Sequence, residues 1–262
     1  MLIAANHVLD FNGVADAFGH ISIRNPNNNA TFFLSKNQAP ALVSAAVDII
    51  EYHVANGSSL DPNAAAGYAE RFIHSETLKR FPDVNCVIHA HSQALVPYSL
   101  VHNVDLEPAY AVAGFLGETV PNFDIEKYYN NSHPHDMLVN NNFLGAALAS
   151  YFTTPATNNT KSTSPDHTFV LMRGHGFTTL DVDIETAIYR AVYAQSNANV
   201  QSQAIALTQS GGIFHGGVKY LSSRERVDSG TFNQASAGKP WPYWVKQTEA
   251  NPLYKNELGS PV

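Results

Sequence analysis

Apolar and polar positions along this chain change period several times, and each change marks an element. Leu2, Ile3, Val8, Leu9 and Phe11 recur at helical spacing and stop at Asn12-Gly13, so residues 1–12 are predicted as a helix with a glycine-marked end. "FGHISIR" (18–24) alternates as a strand ending at Arg24, and "TFFLS" (31–35) follows the turn-rich "NPNNNA" to give a hairpin. "DIIEYHV" (48–54) is a third strand, closed by Asn56-Gly57. Helical spacing returns from Gly67 to Arg80 and ends before Phe81-Pro82, and Cys86 to His91 is a buried strand followed by a helix or turn after Ser92.

The middle of the chain, 103–142, is punctuated by Pro and Asn, with short strands expected at "AYAVAG" (109–114) and "TVPNFD" (119–124). Phe143 to Phe152 reads as a short helix, "NNTKSTSPD" (158–166) as a polar loop, and "HTFVLMRGHG" (167–176) as a buried strand running into a Gly-flanked turn. The clearest helix is 183–209, where Ile184, Ala187, Ile188, Ala191 and Val192 share a face. Asp181, Asp183 and Glu185 sit at its positive N-terminal end. An aromatic tail from Ala237, "KPWPYWVKQ", is expected to pack on the body or on a neighbouring subunit. Neither an internal repeat nor a linker is visible, and residues 1–262 are predicted as a single α/β domain.

Composition narrows the classes. A formal charge of −7 with scattered Lys and Arg argues against nucleic-acid binding, which needs a clustered basic face. There is no apolar run of about 18 residues, so no membrane span is expected. The N-terminus lacks a basic segment and a small-residue cleavage site. The single Cys86 fits a reducing compartment, and a cytoplasmic location is expected. Sequons at Asn56, Asn130 and Asn158 are then chance features of an Asn-rich chain.

Candidate chemistry centres on histidine. His89 and His91 lie two residues apart on a strand and so project to one face. They read either as half of a metal site or as two polar residues at a strand end. His175 sits between Gly174 and Gly176, where the glycines clear bulk around the imidazole; a turn histidine capping the strand is the other reading. Glu70 and His74 stand one turn apart on the preceding helix, although a glutamate on a helix is by default a surface residue. Taken together, three neutral imidazoles and a carboxylate form a donor set for a first-row divalent ion such as zinc, with a position open to water or substrate.

Five stretches, "GHISIR", "YAERFIH", "PDVNCVIHAHS", "MRGHG" and "AIYRAVYAQSNANVQSQA", resemble the class II aldolase/adducin family over about residues 5–225, leaving a C-terminal tail at 237–262. The resemblance implies a three-layer α/β/α fold around a central, mostly antiparallel sheet. It implies a divalent metal, Zn first and Mn, Co or Fe as alternatives, held by His89, His91 and His175, with Glu70 as the catalytic glutamate. It also implies a homotetramer with active sites at subunit interfaces, where Tyr220 is the candidate to reach a neighbour's metal. No nucleic acid or membrane enters as a partner.

The departures from the family matter as much. Sugar-phosphate members hold phosphate with an Asn at the position of His20, a Thr-Gly pair in the next loop, and a Ser-Ser pair before the glutamate. Here those positions hold His20, "LSKNQAP" and Tyr68-Ala69. Without the small donors such a pocket binds phosphate poorly. His20, Arg24, Lys36 and Tyr68 suit a carboxylate or a flat ring, and the pattern resembles the branch that decarboxylates hydroxylated aromatic acids of the dihydroxyphthalate type. Arg24 as a structural ion-pair partner, Lys36 as a solvated loop residue, and Tyr68 and Tyr220 as packing residues remain open alternatives. The expected function is a metal-dependent lyase acting on a small molecule. A decarboxylase is favoured over an aldolase, epimerase or dehydratase acting on a non-phosphorylated hydroxy-carbonyl compound.

Overall fold

The computed structural model describes residues 1–130, 134–154, 163–209 and 216–262. His133, His215, Asn158 and most of the 158–166 loop lie outside the described residues. One seven-stranded sheet organises the chain: β1 (His20–Arg24), β2 (Thr31–Ser35), β3 (Ile49–His53), β4 (Cys86–Ala90), β5 (Asn122–Phe123), β6 (Phe169–Met172) and β7 (Gly176–Asp181). Their order is β3-β2-β1-β4-β7-β6-β5, and every neighbouring pair is antiparallel except β5 with β6.

Helices cover both faces because alternate residues of the central strands are apolar on both sides. Ile21, Cys86, Ile88 and Ala90 join a core with α1 (Leu2–Phe11), α5 (Ile184–Thr208) and the tail helix α7 (Trp241–Glu249), which contributes Trp241, Trp244 and Val245. Phe32, Leu34, Val87 and Leu180 form the opposite core with α2 (Arg71–Arg80) and α4 (Asn142–Ser150). The expected three-layer arrangement with a mostly antiparallel sheet is therefore observed. A short α3 (Val96–Leu100) and α6 (Ser223–Ser236) complete the helices used below. Among the described residues no helix is long and apolar enough to cross a membrane.

Among the elements that differ from expectation, three have a clear physical reason. Residues 109–114, predicted as a strand, enter a 3-10 helix at Ala111–Leu116 that packs on α6. The alternating small residues serve close approach: a Cβ on Gly114 would stand 2.6 Å from the Gly230 amide nitrogen. Helix α2 starts at Arg71 rather than Gly67, because Gly67 is drawn into an extended bridge with Lys36 and lies against the Tyr52 hydroxyl. The third difference is β7, which has no predicted counterpart. It is buried along its whole length beside β4, and its polar threonines are internally bonded: Thr179 Oγ1 donates to the Thr168 carbonyl at 2.7 Å and Thr178 Oγ1 to Met172 Sδ at 3.3 Å.

The β6–β7 hairpin carries His175 in its turn. Gly174 adopts φ +62°, and a Cβ on Gly176 would meet the Ala90 carbonyl oxygen at 2.2 Å. Backbone on both sides leaves no flexible side chain to yield. Gly176→Ala is therefore expected to lower stability by roughly 2–3 kcal/mol through overpacking and to displace His175, read out as a shifted denaturation midpoint together with lower metal retention.

Candidate metal centre

Three elements converge at the end of the sheet where β4 and β7 meet. His89 is the penultimate residue of the buried β4, His91 follows just past the strand, His175 comes from the hairpin turn, and Glu70 occupies the N-cap position of α2. One donor atom from each residue lies within 4.8 Å of the others. His89 Nε2 and His91 Nε2 are 3.1 Å apart, and Glu70 Oε2 stands 3.5 Å from His89 Nε2 and 3.6 Å from His175 Nε2. Tetrahedral ligands at their usual distances from zinc stand about 3.3 Å from one another, so the spacing fits a first-row divalent ion.

The second ring nitrogens support the same assignment. His89 Nδ1 lies 2.9 Å from the Phe177 carbonyl oxygen of β7, and His91 Nδ1 lies 3.2 Å from Asp16 Oδ2. The His175 ring is hydrogen-bonded to the Met137 backbone. For His89 and His91, an acceptor at Nδ1 assigns the proton there and leaves Nε2 as a lone pair turned into the cluster, the orientation that metal-bound histidines require. Two lone pairs facing each other at 3.1 Å repel unless a cation or a proton lies between them. Burial keeps protons off: it holds His89 well below the ordinary histidine value, with the surrounding imidazoles adding to it, and lowers His175 to about 4 with help from His91.

Glu70 is buried, and in the metal-free chain desolvation pushes its carboxyl up to about 7, against the opposing hydrogen bond from the Val139 amide and with a further upward push from Asp136. Val139 N donates to Oε1 at 2.9 Å, which leaves Oε2 on the histidine side. A carboxyl poised near neutrality can both take and return a proton.

Residues 1–202 match the family described as Class II Aldolase and Adducin N-terminal domain. The chain belongs to this family. Among its relatives, the protein named decarboxylase tropJ of Talaromyces stipitatus is 39% identical over 257 residues, covering 97% of this chain and 95% of that protein. The 3,4-dihydroxyphthalate decarboxylase of Arthrobacter keyseri is 27% identical over 242 residues, 89% of this chain and 88% of that enzyme. Of the solved structures, the L-fuculose 1-phosphate aldolase of Glaciozyma antarctica superposes with a TM-score of 0.71 over 97% of this chain and 90% of that one. An aldolase II superfamily protein of Pseudomonas syringae gives 0.70 over 96% and 92%. Both are 16% identical, a likeness of fold alone.

Within this class II aldolase fold the structure sorts the remaining candidates. His20 pairs with His89 across β1 and β4, and its buried ring lies between Tyr68, His74 and His89, with centroids 4.5, 4.8 and 5.1 Å away. Tyr68 is buried, and its hydroxyl donates to the Gln38 carbonyl. Lys36 directs its ammonium to Asp48 at 2.7 Å rather than to the histidines. Tyr220 stands outside the cluster of its own chain, its hydroxyl accepting from Gln201 Nε2 at 3.2 Å.

Arg24 is not brought to the cluster. It lies at the opposite end of β1 from His20, and its guanidinium donates to the carbonyls of Asn29, Leu78, Phe81 and Val84 at 2.7–3.3 Å. The expectation of a substrate ligand is corrected to a clasp that closes the α2–β4 turn onto β1; its partners are carbonyls, so the ion-pair alternative does not describe it either. Lysine cannot reproduce the planar fork. Arg24→Lys is expected to cost about 2 kcal/mol of stability while KM and metal content stay unchanged, as unfolding curves beside steady-state kinetics would show.

Sequence reasoning did not single out Asp16, Ser22 or the backbone of Met137, Val139 and Phe177. Asp16 is fixed by the Phe18 and Gly19 amides, both 3.0 Å from Oδ1. Its signal was the loop "DAFGH" immediately before His20. The three backbone groups carry no residue-type signal at all.

Proposed function

We propose that this protein is a metal-dependent lyase that removes CO2 from a hydroxylated aromatic carboxylic acid. The observation that carries the reading is the convergence of His89, His91 and His175 with the Glu70 carboxylate, the His89 and His91 rings being held at Nδ1 by acceptors from behind. Support for the substrate class comes from the two relatives named as decarboxylases and from the replacement of small phosphate donors by His20 and Tyr68. His89, His91 and His175 would hold the ion, with zinc the first choice. A divalent cation bound there supplies Lewis acidity, which stabilises the negative charge that develops on a substrate hydroxyl oxygen as the C–CO2 bond breaks.

The chain's own groups do the rest. His20, whose ring lies against His89, and Tyr68, which packs on His20, orient a flat acid. Glu70, whose Oε2 faces the histidines, delivers the proton that takes the place of CO2 on the ring carbon. The same reading includes a cytoplasmic homotetramer in which Tyr220 of one subunit completes the site of another. Dilution to monomers is then expected to abolish activity with metal saturating.

The direct test is CO2 release from a panel of ortho-hydroxy aromatic acids by zinc-loaded protein, with and without a chelator. Chelator-sensitive release supports the proposal. A metal-loaded protein that releases none would turn the assignment to aldol or dehydratase chemistry on a hydroxy-carbonyl substrate.

A further inference from the structure

Behind His20 lies a buried polar chain, Ser22 and His74, that the proposed chemistry has not used. Ser22 Oγ is 2.7 Å from His74 Nδ1, and His74 Nε2 is 2.7 Å from His20 Nδ1. All three residues are almost wholly inaccessible: Ser22 and His74 are 0% exposed and His20 is 1%. They come from two elements, Ser22 and His20 from one face of β1 and His74 from α2, so the chain is a cross-link between layers as well as a path.

The direction of its hydrogen bonds follows from counting donors and acceptors. A hydroxyl must place its hydrogen on something, and the partner of the Ser22 hydroxyl is His74 Nδ1. Were His74 to carry its proton on Nδ1, the Ser22 hydrogen would be left buried without an acceptor, which is costly. With Ser22 donating, His74 keeps its proton on Nε2 and passes it as a donor to His20 Nδ1. His20, accepting at Nδ1, then holds its own proton on Nε2. That atom has no hydrogen-bond partner among the described residues, and it belongs to the ring packed between Tyr68 and His89.

We infer that Ser22 and His74 are positioning residues that lock His20 as the Nε2–H tautomer, making it a neutral, fixed hydrogen-bond donor to the carboxylate of the substrate. The inference deepens the decarboxylase reading and rests on it for the identity of the group bound. The chemistry favours a neutral donor. A cation paired with the carboxylate would hold negative charge on the group that must lose it, and would stabilise the ground state more than the transition state. A neutral N–H directs the carboxylate without holding its charge. Each ring accepts at Nδ1 in this chain, so neither carries a second proton.

The test separates this inference from the identity of the reaction. In zinc-loaded protein labelled with 15N-histidine, long-range nitrogen–proton spectra report the tautomer of each ring without any substrate, and the His20→Gln spectrum assigns His20. The expected result is an unprotonated Nδ1 and a protonated Nε2 on His20, with the Ser22→Ala spectrum showing a mixture of tautomers at unchanged zinc content. A His20 protonated on Nδ1 in the wild-type protein, or a tautomer indifferent to Ser22→Ala, overturns it. Kinetics give the second arm: His74→Leu is expected to lower kcat about 10-fold or more at constant zinc, and His74→Gln, whose amide can still donate to His20 Nδ1, to recover most of it. Equal loss in both variants overturns the positioning role. Failure of the decarboxylase assay alone leaves the tautomer result standing and removes only the carboxylate as its target.

Discussion

His91→Ala is expected to strip the protein of metal and of turnover together. His91 supplies one of three convergent Nε2 lone pairs, 3.1 Å from that of His89, and no other described side chain supplies a fifth donor to the cluster. The full binding free energy of a structural zinc site, about 10–16 kcal/mol over four ligands, implies roughly 3 kcal/mol or more for each. One lost imidazole then weakens binding by about two orders of magnitude or more, and activity at trace metal should fall at least about 100-fold. His91 is the best ligand to remove because it lies past the strand end and is half-buried; truncating His89 would open a hole in the fully buried β4. Asp16→Asn provides the graded comparison. It retains the ligand but replaces the charged acceptor at His91 Nδ1, and a loss of about 10- to 100-fold in metal affinity is expected. Metal content by elemental analysis, read beside CO2 release, checks both. A His91→Ala protein that purifies with a full complement of metal would remove the cluster from consideration.

Much of the candidate site was readable from residue types, because holding a divalent ion would impose them. His89 and His91 were expected on one face of a strand, and β4 carries His89 and ends one residue before His91; His175 was expected in a glycine-cleared turn, and the backbone of Ala90 passes close enough to Gly176 to explain why. The supports were not readable. Phe177 serves through its carbonyl, and whether that oxygen meets His89 depends on β7 pairing with β4 in the register His89 to Thr178. β7 itself went unpredicted because "GFTTLD" neither alternates nor runs apolar; its threonines are buried through bonds to distant partners that local pattern cannot reveal. Met137 and Val139 act through backbone atoms in an irregular segment where Met137 takes φ +66°. Arg24 shows the opposite failure. A cation at a strand end looks available, but four carbonyls from the end of α2, the α2–β4 turn and the β1–β2 loop had already claimed it.

Glu70→Gln should separate holding the metal from using it. The amide is isosteric, its oxygen can still accept from Val139 N, and the three imidazoles are untouched. Metal is therefore expected to remain while kcat falls by about 100- to 10,000-fold, the usual loss when a positioned acid–base group is removed. The substitution also has a signature in stability that needs no substrate. Burial raises the Glu70 carboxyl from 4.5 to about 7 in the metal-free chain, so the native state holds this proton more tightly than the unfolded state does. Stability from that proton is fully present below the unfolded value and is lost as pH rises through the folded one. With chelator present, the wild-type protein should weaken between about pH 4.5 and 7 by on the order of 3 kcal/mol, and this contribution should be absent from the glutamine variant. A bound cation reverses the local preference by favouring the carboxylate, so adding zinc should flatten the wild-type profile as well. Urea unfolding midpoints at pH 5 and pH 8, measured for both proteins with chelator and with zinc, provide the four-way comparison. A glutamine variant that turns over at the wild-type rate would leave Glu70 as a fourth ligand and no more, and the proton for the ring carbon would have to come from another group.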